Sequence, residues 1–237
     1  MNEHIANFFF GVIGGGAVTM AWRLAEKYWF EPRLNEAQSA RQKLLLYAQP
    51  LSHACHELSL RIKDILADVQ NGKSSTCEVL RLSPKEAQSI DWFTKKGYYL
   101  TSTAYLFALV SCWIQLYERD VVFLNFGNDN LTTKFFKDIE AFKRKLSSQG
   151  SILWLHYVNG IGELLIDADG DRPITLADFT YKLYQDELFR DYYDQLFIFL
   201  NQVADGNFLS VLTNTAQQLG DIQNLLGSQK ITIIKNP

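Results

Sequence analysis

The chain has 237 residues, of which 47% are hydrophobic, 14% are aromatic and 21% are charged. This composition excludes a disordered chain, a collagen and a long coiled coil, and the interspersed charges exclude a polytopic membrane protein. The formal net charge of −3 leaves no basic excess, so nucleic acid is not expected as a partner.

Residues 5–22 form the first predicted element and contain no charged side chain. A membrane-spanning helix needs roughly 17 to 20 mostly apolar residues, so this run predicts a single-pass membrane anchor in contact with lipid. Lysines and arginines follow the run and none precedes it, which places the N-terminus outside and the body in the cytoplasm. The predicted organisation is an anchor helix with interfacial aromatic residues (1–30), a helical domain (31–230) and a C-terminal tail (231–237).

Two alternatives for residues 5–22 stay open. Three consecutive glycines weaken the membrane prediction, so a helix buried in the core of a soluble domain is the first. A cleaved signal peptide is the second, although no Lys or Arg precedes the run and no clear cleavage site follows it.

Small and polar residues recur every four positions within this run. They are Asn7, Gly11, Gly15 and Thr19, which share one stripe of a helix. Small residues at this spacing let two membrane helices approach closely, so the stripe predicts a homodimer contact.

The rest of the chain predicts an irregular all-α domain of five to seven helices. The predicted helices cover 33–69, a short segment after Ser83, 98–117, 131–146, 152–166, 175–203 and 208–226. Pro50 is expected to kink or split the first of them, and the pattern allows a break near Asp186. The uncharged helix 98–117 is long enough to cross a membrane, but its polar side chains favour burial inside the bundle.

An acidic segment between two predicted helices is a candidate calcium loop. Asp167, Asp169 and Asp171 alternate along the chain, and Asp178 follows at the twelfth position of the segment. Calcium prefers several hard oxygen ligands, which such spacing supplies. However, Arg172 stands where an EF-hand loop needs glycine, and the twelfth position lacks a bidentate glutamate. The alternative is that these acids only shape a turn and start the next helix.

A second candidate metal site lies just after Pro50. His53, His56 and Glu57 are spaced so that they share one face of a helix. Two imidazoles and a carboxylate are suitable ligands for zinc or iron, with His156 or Glu163 as a distant further ligand. The alternative is a solvent-facing or half-buried helix surface, because no second ligand pair has a recognisable spacing.

The sequence contains no motif with a recognisable catalytic mechanism. There is no nucleophile elbow, phosphate-binding loop, kinase signature or SxxK motif. We therefore expect no catalytic residues. We also expect no cofactor, except for a divalent metal ion if one of the two candidate metal sites binds one.

Aromatic residues recur at helical spacing in two segments. They are Tyr98, Tyr99, Tyr105, Trp113 and Tyr117 in the first, and Tyr181, Tyr184, Tyr192, Tyr193, Phe197 and Phe199 in the second. Such stripes usually form core, which is the interpretation we favour. The alternative is a partner site around Tyr192 and Tyr193, which follow an acidic stretch.

Together these patterns predict a membrane-tethered helical interaction or regulatory protein. It is expected to bind a protein partner that the sequence does not identify and to form a homodimer contact. A metal-dependent helical enzyme that uses His53, His56 and Glu57 is the first rival hypothesis. A soluble helical binding module, with residues 5–22 buried in a core, is the second.

Overall fold

The computed structural model of the chain describes residues 31–87, 89–121, 129–147 and 153–235. Within these ranges the secondary structure is helical and contains no strand, apart from one isolated bridge between Ile166 and Pro173. The all-α prediction is therefore confirmed for the described residues. The predicted anchor and its small-residue stripe lie outside them.

Nine α-helices are found in the described ranges. They are α1 (Glu31–Gln70), α2 (Ser74–Leu80), α3 (Ile90–Thr94), α4 (Tyr98–Val121), α5 (Asp129–Leu146), α6 (Leu155–Glu163), α7 (Leu176–Gln185), α8 (Glu187–Ala204) and α9 (Leu209–Lys235). Contacts divide the chain into two units between Leu44 and Leu45. The packing described below belongs to the described residues of the second unit.

The helices differ from the predicted ones at several places. Residues 74–80 form α2, where no helix was predicted, and α6 ends at Glu163 rather than at residue 166. Helix α1 is not divided at Pro50, although proline removes one backbone donor and crowds the preceding turn. The buried residues Leu51, Ala54 and Leu58 follow directly, and their burial offsets the cost of keeping the helix intact. Helix α9 continues to Lys235 rather than ending near Leu226.

The break between α7 and α8 lies at Asp186, where the pattern allowed it. The Asp186 carboxylate accepts a hydrogen bond of 3.0 Å from the backbone N–H of Phe189 and so caps α8. A short acidic side chain competes well for these donors at a helix start, which favours a new helix over continuation of the old one.

Helix α4 is the central element of the described packing. It contacts α2, α3, α6, α7 and α8, and its side chains from Leu100 to Leu116 are largely buried, as the sequence predicted. By itself it is the one described helix long and apolar enough to cross a membrane, yet 67% of its most apolar window is buried within the protein. The bent pair α8 and α9, at 111° to each other, meets the same length and hydropathy criterion only when taken together.

Helices α4 and α6 approach each other at backbone distance. A Cβ atom added at Gly162 of α6 would lie 2.6 Å from the carbonyl carbon of Ser111 and 2.8 Å from the amide nitrogen of Cys112. Only glycine fits without moving one helix, since both obstacles are backbone atoms. The position of α6 on α4 is thus fixed by this contact.

Arg61 joins α1 to the first turn of α4. Its guanidinium donates hydrogen bonds to the carbonyl oxygen of Tyr99 (3.3 Å) and to the hydroxyls of Ser102 (3.1 Å) and Thr103 (2.8 Å). It also lies 4.3 Å from the centroid of the Tyr99 ring. The arginine therefore satisfies several polar groups that α4 brings into the packed region.

We expect Gly162→Ala to lower the free energy of unfolding by about 2 kcal/mol, because a new methyl group must be forced between two backbones. Gly220→Ala is the matched control, since a Cβ atom there meets nothing within 4 Å. The control should raise stability by about 0.5 kcal/mol, as alanine favours a helix over glycine. Urea unfolding measures both, and equal effects of the two changes would contradict the contact between α4 and α6.

We expect Arg61→Ala to lower the free energy of unfolding by about 2 kcal/mol through loss of charge-assisted hydrogen bonds. Arg144→Ala serves as the control, because Arg144 forms an exposed ion pair with Glu140 one turn away on α5. Its loss should cost less than about 0.5 kcal/mol. The two free energies of unfolding are compared by the same denaturation, and a negligible effect at Arg61 would contradict its role.

Candidate docking surface

The histidine cluster faces solvent. All three residues, His53, His56 and Glu57, are exposed on α1. The His56 Nδ1 atom lies 3.2 Å from the side-chain Nε2 of Gln223 on α9. Throughout the described part of the chain, no group of three His, Cys, Asp or Glu side chains lies close enough to hold a metal ion. The zinc or iron hypothesis therefore stays a prediction, and the described residues supply no complete set of ligands for it.

The acidic loop uses its first carboxylate internally. Asp167 accepts hydrogen bonds from Arg172 Nε (2.8 Å) and from the backbone N–H of Gly170 (2.9 Å), while Asp169 and Asp171 are exposed. These bonds close a turn and orient the Asp167 oxygens toward protein donors. Nothing in the geometry of this loop therefore supports the calcium hypothesis.

Asp178, the fourth acid of the calcium hypothesis, belongs to a helix start. Its backbone N–H donates to Thr175 Oγ1 (3.2 Å), and its carboxylate accepts from the same hydroxyl (2.7 Å). Thr175 is thereby the N-cap of α7, in agreement with the alternative interpretation of this segment.

The aromatic stripe of α8 divides between core and surface. Tyr193, Phe197 and Phe199 are buried, and the Tyr193 hydroxyl donates a hydrogen bond of 2.7 Å to the carbonyl oxygen of Ile161 on α6. Tyr192 is 38% exposed and faces outward. The core interpretation therefore holds for most of the stripe, and the partner-site alternative gains support only at Tyr192.

Tyr192 is held in place although it is exposed. Its ring stacks on that of Tyr157 with the centroids 5.4 Å apart and the planes at 19°. The Tyr157 hydroxyl in turn accepts a hydrogen bond of 3.1 Å from the backbone N–H of Leu196. A Cβ atom at Gly160 would lie 1.7 Å from the Tyr192 hydroxyl oxygen, so this glycine provides the space that the phenol occupies.

Exposed apolar side chains flank Tyr192 on both helices. On α8, Leu188 is 82% exposed and lies one turn before Tyr192 on the same side of the helix. Ile198 is 42% exposed, but at six residues from Tyr192 it lies about 120° away around the helix. On α6, Trp154 at the N-cap is 74% exposed and Leu164 after the last turn is 37% exposed. Leu164 follows Tyr157 by seven residues, which places both on one side of α6. We call these four residues, namely Trp154, Leu164, Leu188 and Tyr192, the α6–α8 face.

One carboxylate acts on Tyr192. Glu163 lies exposed at the end of α6, whereas Glu187 and Asp191 are exposed on other sides of α8. Partial burial, and secondarily the charge of Glu163, raise the pKa of Tyr192 above its ordinary value. Lys85 compensates part of the charge of α8, since its Nζ lies 2.8 Å from Asp194 and 3.8 Å from Asp191.

Sequence reasoning located Tyr192 but missed the other residues of this face. Trp154, Leu164 and Leu188 are apolar residues, and only the tertiary packing of the helices decides that they are exposed. The short sequence Asn159-Gly160-Ile161-Gly162 carried a usable signal, because two glycines inside a helix indicate close approach on two sides.

No protein-family model, curated protein or solved structure matches this chain.

Asp167 provides a test of the loop geometry. Chiefly the hydrogen bond from Arg172 holds the pKa of the Asp167 carboxyl below its ordinary value of 3.8. The ionised Asp167 therefore stabilises the folded state at pH values above its ordinary pKa. This stabilisation is lost as the pH falls through the lower pKa of the folded protein. Titration followed by carboxyl NMR should show a lowered pKa in the native protein and a rise toward the ordinary value in Arg172→Ala. An unchanged pKa in the variant would contradict the pairing.

Proposed function

We propose that this chain is a membrane-tethered helical interaction protein whose docking site is the α6–α8 face. The observation that carries the proposal is Tyr192, an exposed aromatic side chain whose ring stacks on Tyr157 and whose hydroxyl occupies the space that Gly160 leaves. A rigid aromatic group loses little conformational entropy when a partner covers it, which is why such residues dominate binding energies.

The surroundings of Tyr192 support the same proposal. Leu188 and Trp154 are more than two-thirds exposed, and burying one such side chain is worth about 1.5 to 3 kcal/mol. Several exposed apolar residues on adjacent helices, bordered by charges, are typical of a protein-binding surface. A catalytic function has no comparable supporting observation in the described residues.

The tether in this proposal is the uncharged run 5–22. Its length suits a membrane span, and the cations that follow it favour a cytoplasmic position for the helical domain. Close packing along Asn7, Gly11, Gly15 and Thr19 would pair two copies within the membrane. The protein would then present its docking faces at the cytoplasmic side of a membrane, where it recruits or regulates a partner.

Membrane fractionation with an alkaline carbonate wash tests the tether. The wild-type chain should stay in the pellet, whereas Ile13→Arg should move to the supernatant, because an arginine near the centre of a span costs about 2.5 to 3.5 kcal/mol. Leu46→Arg is the matched control, since Leu46 is 65% exposed on α1 and lies outside the run. It should behave as the wild type does.

Wild-type chain recovered in the supernatant would overturn the tether and leave a soluble helical binding module. The docking function of the α6–α8 face does not depend on this result.

A further inference from the structure

We infer that the exposed basic side of α5 lies against anionic lipid headgroups, an inference that rests on the membrane tether proposed above. We call this side the α5 basic face. Its cations, all of them exposed, are Lys134, Lys137, Arg144 and Lys145. The contact with lipid would attach the helical domain to the membrane at a second place, in addition to the run 5–22.

The four cations lie on one side of their helix. Successive residues of an α-helix are about 100° apart around its axis. Lys145 therefore lies about 20° from Lys134 in one direction. Lys137 and Arg144 lie about 60° and 80° from Lys134 in the other direction. The cations thus form one stripe within an arc of about 100°, along about 16 Å of the helix.

The other side of α5 packs against the protein. Its buried residues are Phe135, Ile139, Phe142 and Leu146, and α5 contacts α6 and α9. The middle of this apolar side lies about 140° around the helix from the middle of the basic stripe. The α5 basic face is therefore directed away from the core and is open to a surface outside the protein.

On α5, the two acidic side chains that the structure describes both have partners. Asp138 is half-buried and accepts a hydrogen bond of 3.2 Å from the Gln218 side chain on α9. Glu140 lies 2.8 Å from Arg144 Nε, one turn away. This ion pair compensates the charge of Arg144, which leaves the three lysines as the net charge of the face.

The lysines of the α5 basic face have no such compensation. Other lysines of the chain are paired with acids, as Lys73 is with Asp68 at 2.6 Å. Within the described part of the chain, no ion pair involves Lys134, Lys137 or Lys145. Three uncompensated charges on one stripe create a local positive potential, although the whole chain has a formal net charge of −3.

An anionic membrane surface suits this potential better than nucleic acid does. A protein that binds nucleic acid commonly contacts many phosphates and carries a basic excess, whereas three lysines in an acidic chain form a small patch. At the cytoplasmic leaflet each lysine favours contact by about fivefold, so three favour it by roughly a hundredfold. The tether at run 5–22 keeps the domain beside the bilayer, so this preference acts at high effective concentration.

A dye attached beside the stripe can report this contact. The chain has three cysteines, namely Cys55, Cys77 and Cys112, and all are buried, so an introduced surface cysteine is labelled selectively. Thr133→Cys places the dye at an exposed position at the edge of the α5 basic face. Ala177→Cys, at an exposed position of α7, is the matched control.

The experiment measures quenching of the dye by acrylamide, a neutral quencher, in the full chain held in nanodiscs. Nanodiscs of zwitterionic lipid are compared with nanodiscs in which about a third of the lipid is phosphatidylserine. Anionic lipid should lower the quenching constant at position 133 at least about twofold and leave that at position 177 unchanged. High salt should reverse the protection, because it screens the attraction.

A charge variant tests whether the lysines of α5 make the contact. The triple variant Lys134→Gln, Lys137→Gln and Lys145→Gln should lose the protection by anionic lipid, because no uncompensated cation remains on the stripe. Protection that persists in this variant would overturn the inference.

The matched control carries Lys63→Gln, Lys95→Gln and Lys96→Gln. These changes remove three exposed lysines of other segments and alter the net charge of the chain equally. The control should keep the protection at position 133. Equal loss of protection in both triple variants would make the overall charge responsible and would overturn the α5 basic face.

The remaining outcomes separate this inference from the tether on which it rests. Equal quenching at position 133 in the two kinds of nanodisc would overturn the α5 contact and leave the tether in place. If the carbonate wash releases the chain while added anionic vesicles still protect the dye, the tether is wrong and the α5 basic face is kept. Protection by added duplex RNA but not by anionic lipid would assign the face to nucleic acid and overturn the inferred partner.

Discussion

The backbone contact between Gly162 of α6 and Ser111 of α4 is the constraint on which the described architecture depends. Helix α4 is apolar over most of its length and must be enclosed, and α6 covers it so closely that a Cβ atom at Gly162 would meet the backbone of α4. Three consecutive residues of α6 then have separate roles. Gly162 faces α4, Ile161 accepts the hydrogen bond of the buried Tyr193, and Gly160 leaves space for the exposed Tyr192.

This arrangement links the core to the surface without a separate functional element. The Tyr193 hydroxyl fixes α8 against α6, and its neighbour Tyr192 is thereby directed outward onto Tyr157. A docking face on helices that tyrosine contacts link is more rigid than one built on loops, so a partner gains contact area with little ordering cost. The exposed apolar residues represent burial that the isolated chain forgoes and that a partner can supply.

The local part of the fold was predictable, because it depends on neighbouring residues. Thr175 caps α7 at the predicted helix start, the break at Asp186 lies where the pattern allowed one, and the polar content of α4 correctly predicted burial within the protein. Features that depend on tertiary pairing were not predictable. Lys143 belongs to a basic stretch of α5, yet it is only 8% exposed and pairs with Glu118 of α4 at 2.8 Å. The zinc or iron hypothesis gained no support for the same reason, since spacing along a helix does not bring distant ligands together. The calcium hypothesis gained none because Asp167 accepts hydrogen bonds from Arg172 and Gly170.

Native-state hydrogen exchange tests the central claim most directly. If α4 and its contact with Gly162 hold α6 and α8 in place, amides in the middle of all three helices should exchange only through global unfolding. They should then share one free energy of opening and one dependence on denaturant concentration. Exchange from α6 and α8 through a separate opening of much lower free energy, while α4 stays protected, would contradict the account. The α6–α8 face would then not be part of a rigid core.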